Sequence, residues 1–119
     1  MDYQEFVDEP LLDQLKRKKS VLSLWNLDKM HPGPLLLLNL DNSKISSVNG
    51  KFHGQLMLNY KRSDKDNVEF TGHLHFPSGI IVPIRINFWA DGEFLSKGVL
   101  YISDEPKYNL GVRTLVSKQ

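Results

Sequence analysis

The chain has 119 residues, 40% of them hydrophobic and 24% charged, which fits one compact globular domain with a core of its own. It has no cysteine, which excludes a disulfide framework, a thiolate metal site and a cysteine nucleophile. A formal net charge of +1 gives no global pull toward nucleic acid or acidic membranes.

The acidic start, MDYQEFVDEP, has neither the basic stretch nor the apolar run of a secretory signal. The longest apolar run, Leu35 to Leu38, is far short of the ~20 residues that cross a bilayer as a helix. The expectation is a cytoplasmic protein with no membrane partner.

The first predicted element is an α-helix from about Pro10 to Trp25. Asp8 suits the N-cap, Pro10 the first turn, and Leu11, Leu12, Leu15, Leu22 and Trp25 fall near helical spacing. The basic run Lys16, Arg17, Lys18 and Lys19 suits the negative end of the helix dipole. Because the period weakens after Ser20, the alternative is a helix ending there, with VLSLW extended. HPGP, His31 to Pro34, then breaks regular structure. Residues 1–34 thus read as a helix and linker, and 35–119 as a β meander, within a single domain.

From Leu35 the apolar period is two. Asn49-Gly50 between alternating runs is a strong hairpin signal. A long strand is expected from Lys51 to Arg62, with Phe52, Gly54, Leu56, Leu58 and Tyr60 on one face and His53, Gln55 and Met57 on the other. After the polar turn SDKDN, a strand over Asn67 to Phe76 turns Val68, Phe70, Gly72, Leu74 and Phe76 inward. Ile80 to Trp89 returns, with Ile80, Val82, Ile84, Ile86 and Phe88 inward. Glu93 to Ile102 follows, with Phe94, Leu100 and Ile102 inward. SDEPKYN reads as a loop before a last short strand, Leu110 to Val116.

Gly54, Gly72 and Gly98 interrupt bulky inward rows, which points to bends or close backbone approach. Symmetric hairpins set Gly54 opposite Leu74, Gly72 opposite Leu56 and Gly98 opposite Ile84. The fold class is therefore mainly β, an antiparallel up-and-down meander forming a curved sheet or small barrel, with one N-terminal helix.

Three candidate sites follow. A turn centred on Asp64 sets His53 opposite His75 and Gln55 opposite His73, gathering three imidazoles on one polar face. Three imidazoles and a water make a catalytic-type zinc site, with the bound water acidified to act as nucleophile. The plainer alternative is a polar or partner-facing surface. The second site is the outer face of the last long hairpin, where Ile81, Trp89, Leu95, Val99 and Tyr101 are apolar and invite a protein partner or a second copy of the chain. A three-residue ADG turn would set Arg85 against Lys97 there, a repulsion that a carboxylate from Glu9, Asp13 or a partner would relieve. The third is the basic run Lys16–Lys19, which offers phosphates an electrostatic footprint but carries no interleaved aromatic residues for base stacking.

No serine sits on a strand–turn–helix elbow, and no Walker loop, dinucleotide fingerprint or calcium loop is present. The stretch DNSKISSVNGKFHGQLMLNY resembles the first hairpin of avidin-like barrels, through Gly50, Phe52 and Gly54. It departs at Leu56, where that family tends to have an aromatic residue, and the family's ligand-lining tryptophans are missing. The resemblance implies a small antiparallel barrel and not biotin binding. The function expected is a non-catalytic binding protein, inhibitor- or immunity-like, without a cofactor, engaging a protein partner or small ligand through a sheet face or the barrel mouth. The alternatives are a zinc-dependent enzyme using His53, His73 and His75, and nucleic-acid binding through the basic run.

Overall fold

The structure is a computed structural model that describes residues 21–28, 35–64, 66–91 and 94–115, with the side chains of Tyr60, Asp91 and Phe94 excepted. The helix expected over Pro10–Ser20, the basic residues Lys16–Lys19, His31, and the inward placing of Tyr60 and Phe94 lie outside the described residues.

Eight antiparallel strands run in chain order: β1 (Val21–Asn26), β2 (Leu36–Asn39), β3 (Lys44–Ser47), β4 (His53–Leu58), β5 (Asn67–His75), β6 (Ile81–Asp91), β7 (Phe94–Ile102) and β8 (Glu105–Leu115). Each pairs with its sequence neighbours, and β1 pairs with β8, so the meander closes into an up-and-down barrel. Closure leaves almost no free sheet edge and turns one residue in two toward a common interior.

β1 corrects the helix expected as far as Trp25 and agrees with the alternative, in which VLSLW is extended. Val21–Asn26 is extended, with Leu22 and Leu24 fully buried. Leu22 and Leu24 lie two apart, so as a strand both enter the core opposite Leu38 and Leu36. The outer side of β1 is also covered: the Trp25 indole N–H donates to Ser23 Oγ at 3.0 Å, and the Arg113 guanidinium lies 5.1 Å from the Trp25 ring centre.

Between β3 and β4 the Asn49-Gly50 turn forms as expected. Gly50 takes a φ of 75°, and its N–H donates to the Ser47 carbonyl at 3.0 Å. β4 is shorter than the Lys51 to Arg62 strand read from sequence: it ends at Leu58, and Tyr60–Arg62 forms a 3-10 turn. The β4–β5 register is the one expected, with His53 opposite His75, Gln55 opposite His73 and Leu56 opposite Gly72. A Cβ at Gly54 would run into the His73 carbonyl oxygen, and one at Gly72 into the Gln55 carbonyl oxygen. These two glycines allow the strands to cross tightly, which curves the wall.

The last hairpins depart from the symmetric reading at two bulges. Trp89 pairs with Lys97 but Ala90 pairs with Leu95, so Ser96 is an extra residue. Asp91 pairs with Phe94, so the turn lies further along than the expected ADG turn, and together with the bulge this sets Gly98 opposite Phe88 rather than Ile84 and Arg85 opposite Tyr101 rather than Lys97. The extra residue also turns Leu95 inward. In the second bulge, Leu100 pairs with Tyr108 and Tyr101 with Pro106, and Pro106, which has no N–H to give, is accommodated there. The expected loop SDEPKYN is therefore mostly strand: β8 begins at Glu105, after a two-residue turn in which Ser103 and Asp104 both take positive φ.

The interior is filled unevenly. Leu22, Leu38, Leu40, Ile45, Leu56, Phe70, Ile86, Phe88 and Leu95 are no more than 2% exposed, and Phe70 meets Phe88 edge-on at 5.9 Å between ring centres. Toward the end that carries the β3–β4, β5–β6 and β7–β8 turns, the inward residues Phe52, Phe76, Val82 and Ile102 are only half-buried. Ile80, expected to face inward, is 59% exposed in the β5–β6 turn.

Candidate functional site: an open barrel end and two outer-wall clusters

The half-filled end carries an apolar concavity. β1 pairs with β8 only over Leu110–Leu115, with one further bond from the Leu27 N–H to the Asn109 carbonyl. Among the described residues, Glu105 to Tyr108 pair with β7 alone. Tyr108 lies opposite the inward-facing Leu100, yet it is 39% exposed. The result is a recess of about 560 Å³ running into the barrel end. Leu36, Ser47, Leu74 and Leu100 line its buried side, Phe52, Phe76 and Ile102 its half-buried side, and Val48, Asn49 and Tyr108 its mouth. Phe52 and Phe76 sit with ring centres 5.1 Å apart and planes inclined by 39°. Ser47 is held by its neighbours: its hydroxyl donates to Asn49 Oδ1 at 2.7 Å and accepts the Phe52 N–H at 3.1 Å. Among the described residues the lining includes no charged side chain.

The histidines lie on the outer wall. The rings of His53 and His75 stack with centres 5.6 Å apart and planes within 6°. His73 shares their face but lies opposite Gln55, whose amide is directed to the Asn42 and Ser43 carbonyls. Among the described residues no group of three His, Cys, Asp or Glu side chains is disposed to hold a metal ion. The sequence register thus brings two imidazoles into contact and the third onto the same face.

The other expected residues do not form one patch. Ile81 is 54% exposed beside His75, whereas Trp89, 39% exposed, lies about 26 Å further along β6 at ~3.3 Å per residue. Val99 and Tyr101 are half-buried between them. Leu95 is corrected from contact residue to core residue, at 2% exposure, by the bulge at Ser96.

Arg85 needs no outside carboxylate. Its guanidinium lies 3.8 Å from the Tyr101 ring centre, 3.5 Å from Glu69 and 3.7 Å from Asp104. Glu69 is a feature that sequence reasoning missed: it points to the outer side of β5, yet its side chain is 2% exposed. The β4–β5 connection folds over it. Asn59 Nδ2 donates to Glu69 Oε2 at 2.9 Å, and Arg62 Nε lies 3.4 Å from Oε1. The Glu69 N–H donates to Ser63 Oγ, which itself donates to the Asn59 carbonyl. Glu69 Oε1 and Asn87 Oδ1, on directly paired residues, are buried without a hydrogen-bond partner, Oε1 being served by the longer ion pairs alone. The cluster pins a loop to the wall. The only sequence signal for it was an acidic residue on a strand, two positions before Thr71 and in register with Asn87.

Comparison with family models, curated proteins and solved structures gave no match, so the reading of this barrel rests on its own geometry.

Proposed function

We propose that this protein is a non-catalytic binding barrel that takes up a small molecule at its open end. The observation that carries this reading is the uneven filling of the interior: inward-facing side chains are sealed at one end but remain accessible around an apolar recess at the other. Small-molecule sites are typically concave and mostly apolar, with a few placed polar groups, and occur in the mouths of barrels. A recess of about 560 Å³ falls within their usual range of about 300–1,000 Å³. The exposed apolar residues of the outer wall are dispersed, which favours the mouth over a protein-docking face.

A thermal-shift screen of uncharged small molecules tests this. A true ligand at a hundred times its Kd stabilises the fold by about 2.7 kcal/mol. Its effect should vanish in Tyr108→Asp and Val48→Asp, which place a carboxylate at the mouth. Stabilisation that survives both substitutions would locate binding elsewhere and sink the reading.

One observation favours a second reading. The stacked His53–His75 pair, with His73 on the same face, supports capture of a divalent transition metal on the outer wall. Metal analysis of untagged protein, and titration of zinc into His75→Ala, test it. A variant that binds zinc as well as the parent chain would end that reading.

A further inference from the structure

We propose that the ligand of the open end is a compact, uncharged ring compound, aromatic or alicyclic, seated against Phe52 and Phe76 with a polar group near Tyr108. This rests on the reading of the mouth as the binding site and narrows it to a chemical class.

Three observations set the class. First, among the described residues the lining contains no acid, base or histidine. A carboxylate, phosphate or ammonium would lose hydration on entry and find no counter-charge, at a cost of several kcal/mol. Second, the recess is shallow. Leu36, Leu74 and Leu100 close its floor at 2–3% exposure, and the Phe70–Phe88 pair fills the interior beyond. A long acyl chain has no channel to extend into. Third, Phe52 and Phe76 present two inclined rings at the side of the recess, and aromatic faces and edges favour a ring partner in offset or edge-on contact. The polar side chains of the lining are Ser47, Asn49 and Tyr108. The Ser47 hydroxyl is already engaged on both sides, and Asn49 Oδ1 accepts from Ser47 and from the Lys51 N–H, which leaves the Tyr108 hydroxyl and the Asn49 Nδ2 group to meet a polar substituent.

Three fluorescent probes separate the possibilities on the full chain. N-phenylnaphthylamine is a compact, uncharged pair of aromatic systems. Anilinonaphthalene sulfonate has nearly the same rings and adds a fixed negative charge. Cis-parinaric acid is a long, anionic acyl chain. N-phenylnaphthylamine should bind at least tenfold tighter than either of the others. Its affinity should fall at least tenfold in Tyr108→Asp and in Val48→Asp, and stay within twofold in Met57→Asp on the outer wall. Val48 is 52% exposed and Met57 is 71% exposed, so the rim and control variants keep the core intact. If the sulfonate or the acyl probe binds as tightly as N-phenylnaphthylamine, and both rim variants abolish this, the ring class is overturned while the mouth reading stands. If no probe binds, or if binding ignores the rim variants, the mouth reading itself fails.

Discussion

At the residue scale, two positions carry more of the architecture than their side chains suggest. Gly72 and Gly54 allow backbone contacts that any Cβ would obstruct, because the obstructing atoms are carbonyl oxygens rather than mobile side-chain ends. Gly72→Ala should therefore cost about 3 kcal/mol, at the upper end of overpacking effects, seen as a lower urea midpoint. A midpoint within experimental error of the parent would show that the β4–β5 crossing is looser than described. Glu69 makes the opposite point, since a charged residue on an outward strand position is buried by the loop that it anchors. Glu69→Gln keeps an acceptor for Asn59 and loses the ion pairs with Arg62 and Arg85. Both arginines retain access to solvent, so the expected loss is modest, about 1–2 kcal/mol. Amide hydrogen exchange should quicken first at Asn59 and Glu69, whose N–H groups bind the Glu69 carbonyl and Ser63. The histidine contact was legible from sequence because it depends only on strand parity and one turn. The burial of Glu69 was not, because it depends on where a loop lies, and loops have no period.

At the scale of elements, the alternation of Phe70, Gly72 and Leu74 against Ile86, Ile84 and Val82 was readable because every second residue of both strands turns to the interior. Two elements were read differently, for physical reasons. In β1, Leu22 and Trp25 lie three apart, a spacing that suits a helix, while Leu22 and Leu24 lie two apart, which suits a strand. The need to complete the wall between β2 and β8 decides in favour of the strand. In β8, Glu105 to Asn109 are all exposed, so the segment lacks the apolar alternation that identifies a half-buried strand. It lacks it because it borders the open end. The bulge at Ser96 left no sequence signal, and it alone moves Leu95 from the surface to the core. Leu95→Ala should accordingly cost about 2–5 kcal/mol, as for other buried leucines, whereas Val99→Ala on the outer face should cost about 1 kcal/mol. Chemical denaturation of the two variants side by side checks this, and equal losses would place the bulge elsewhere.

At the scale of the whole molecule, curvature was foreseeable from the inward glycines, and a small barrel was expected, but closure depended on β1, the strand first read as part of a helix. Closure gives the interior two unlike ends. One is sealed by Phe70, Phe88 and their aliphatic neighbours. The other, among the described residues, holds the recess where β1 is shorter than β8. The open end had no signature of its own in the sequence, because Phe52, Phe76 and Ile102 read as ordinary core positions. Their partial exposure comes from unequal strand lengths, which are a property of the closed wall. The most direct test of this asymmetry is a methyl-resolved NMR titration of the full chain with N-phenylnaphthylamine. Leu36, Leu74, Leu100 and Ile102 should shift progressively, while Leu38, Ile45 and Ile86 stay still. Shifts confined to Met57 and the outer wall, or no shifts at saturating probe, would contradict it.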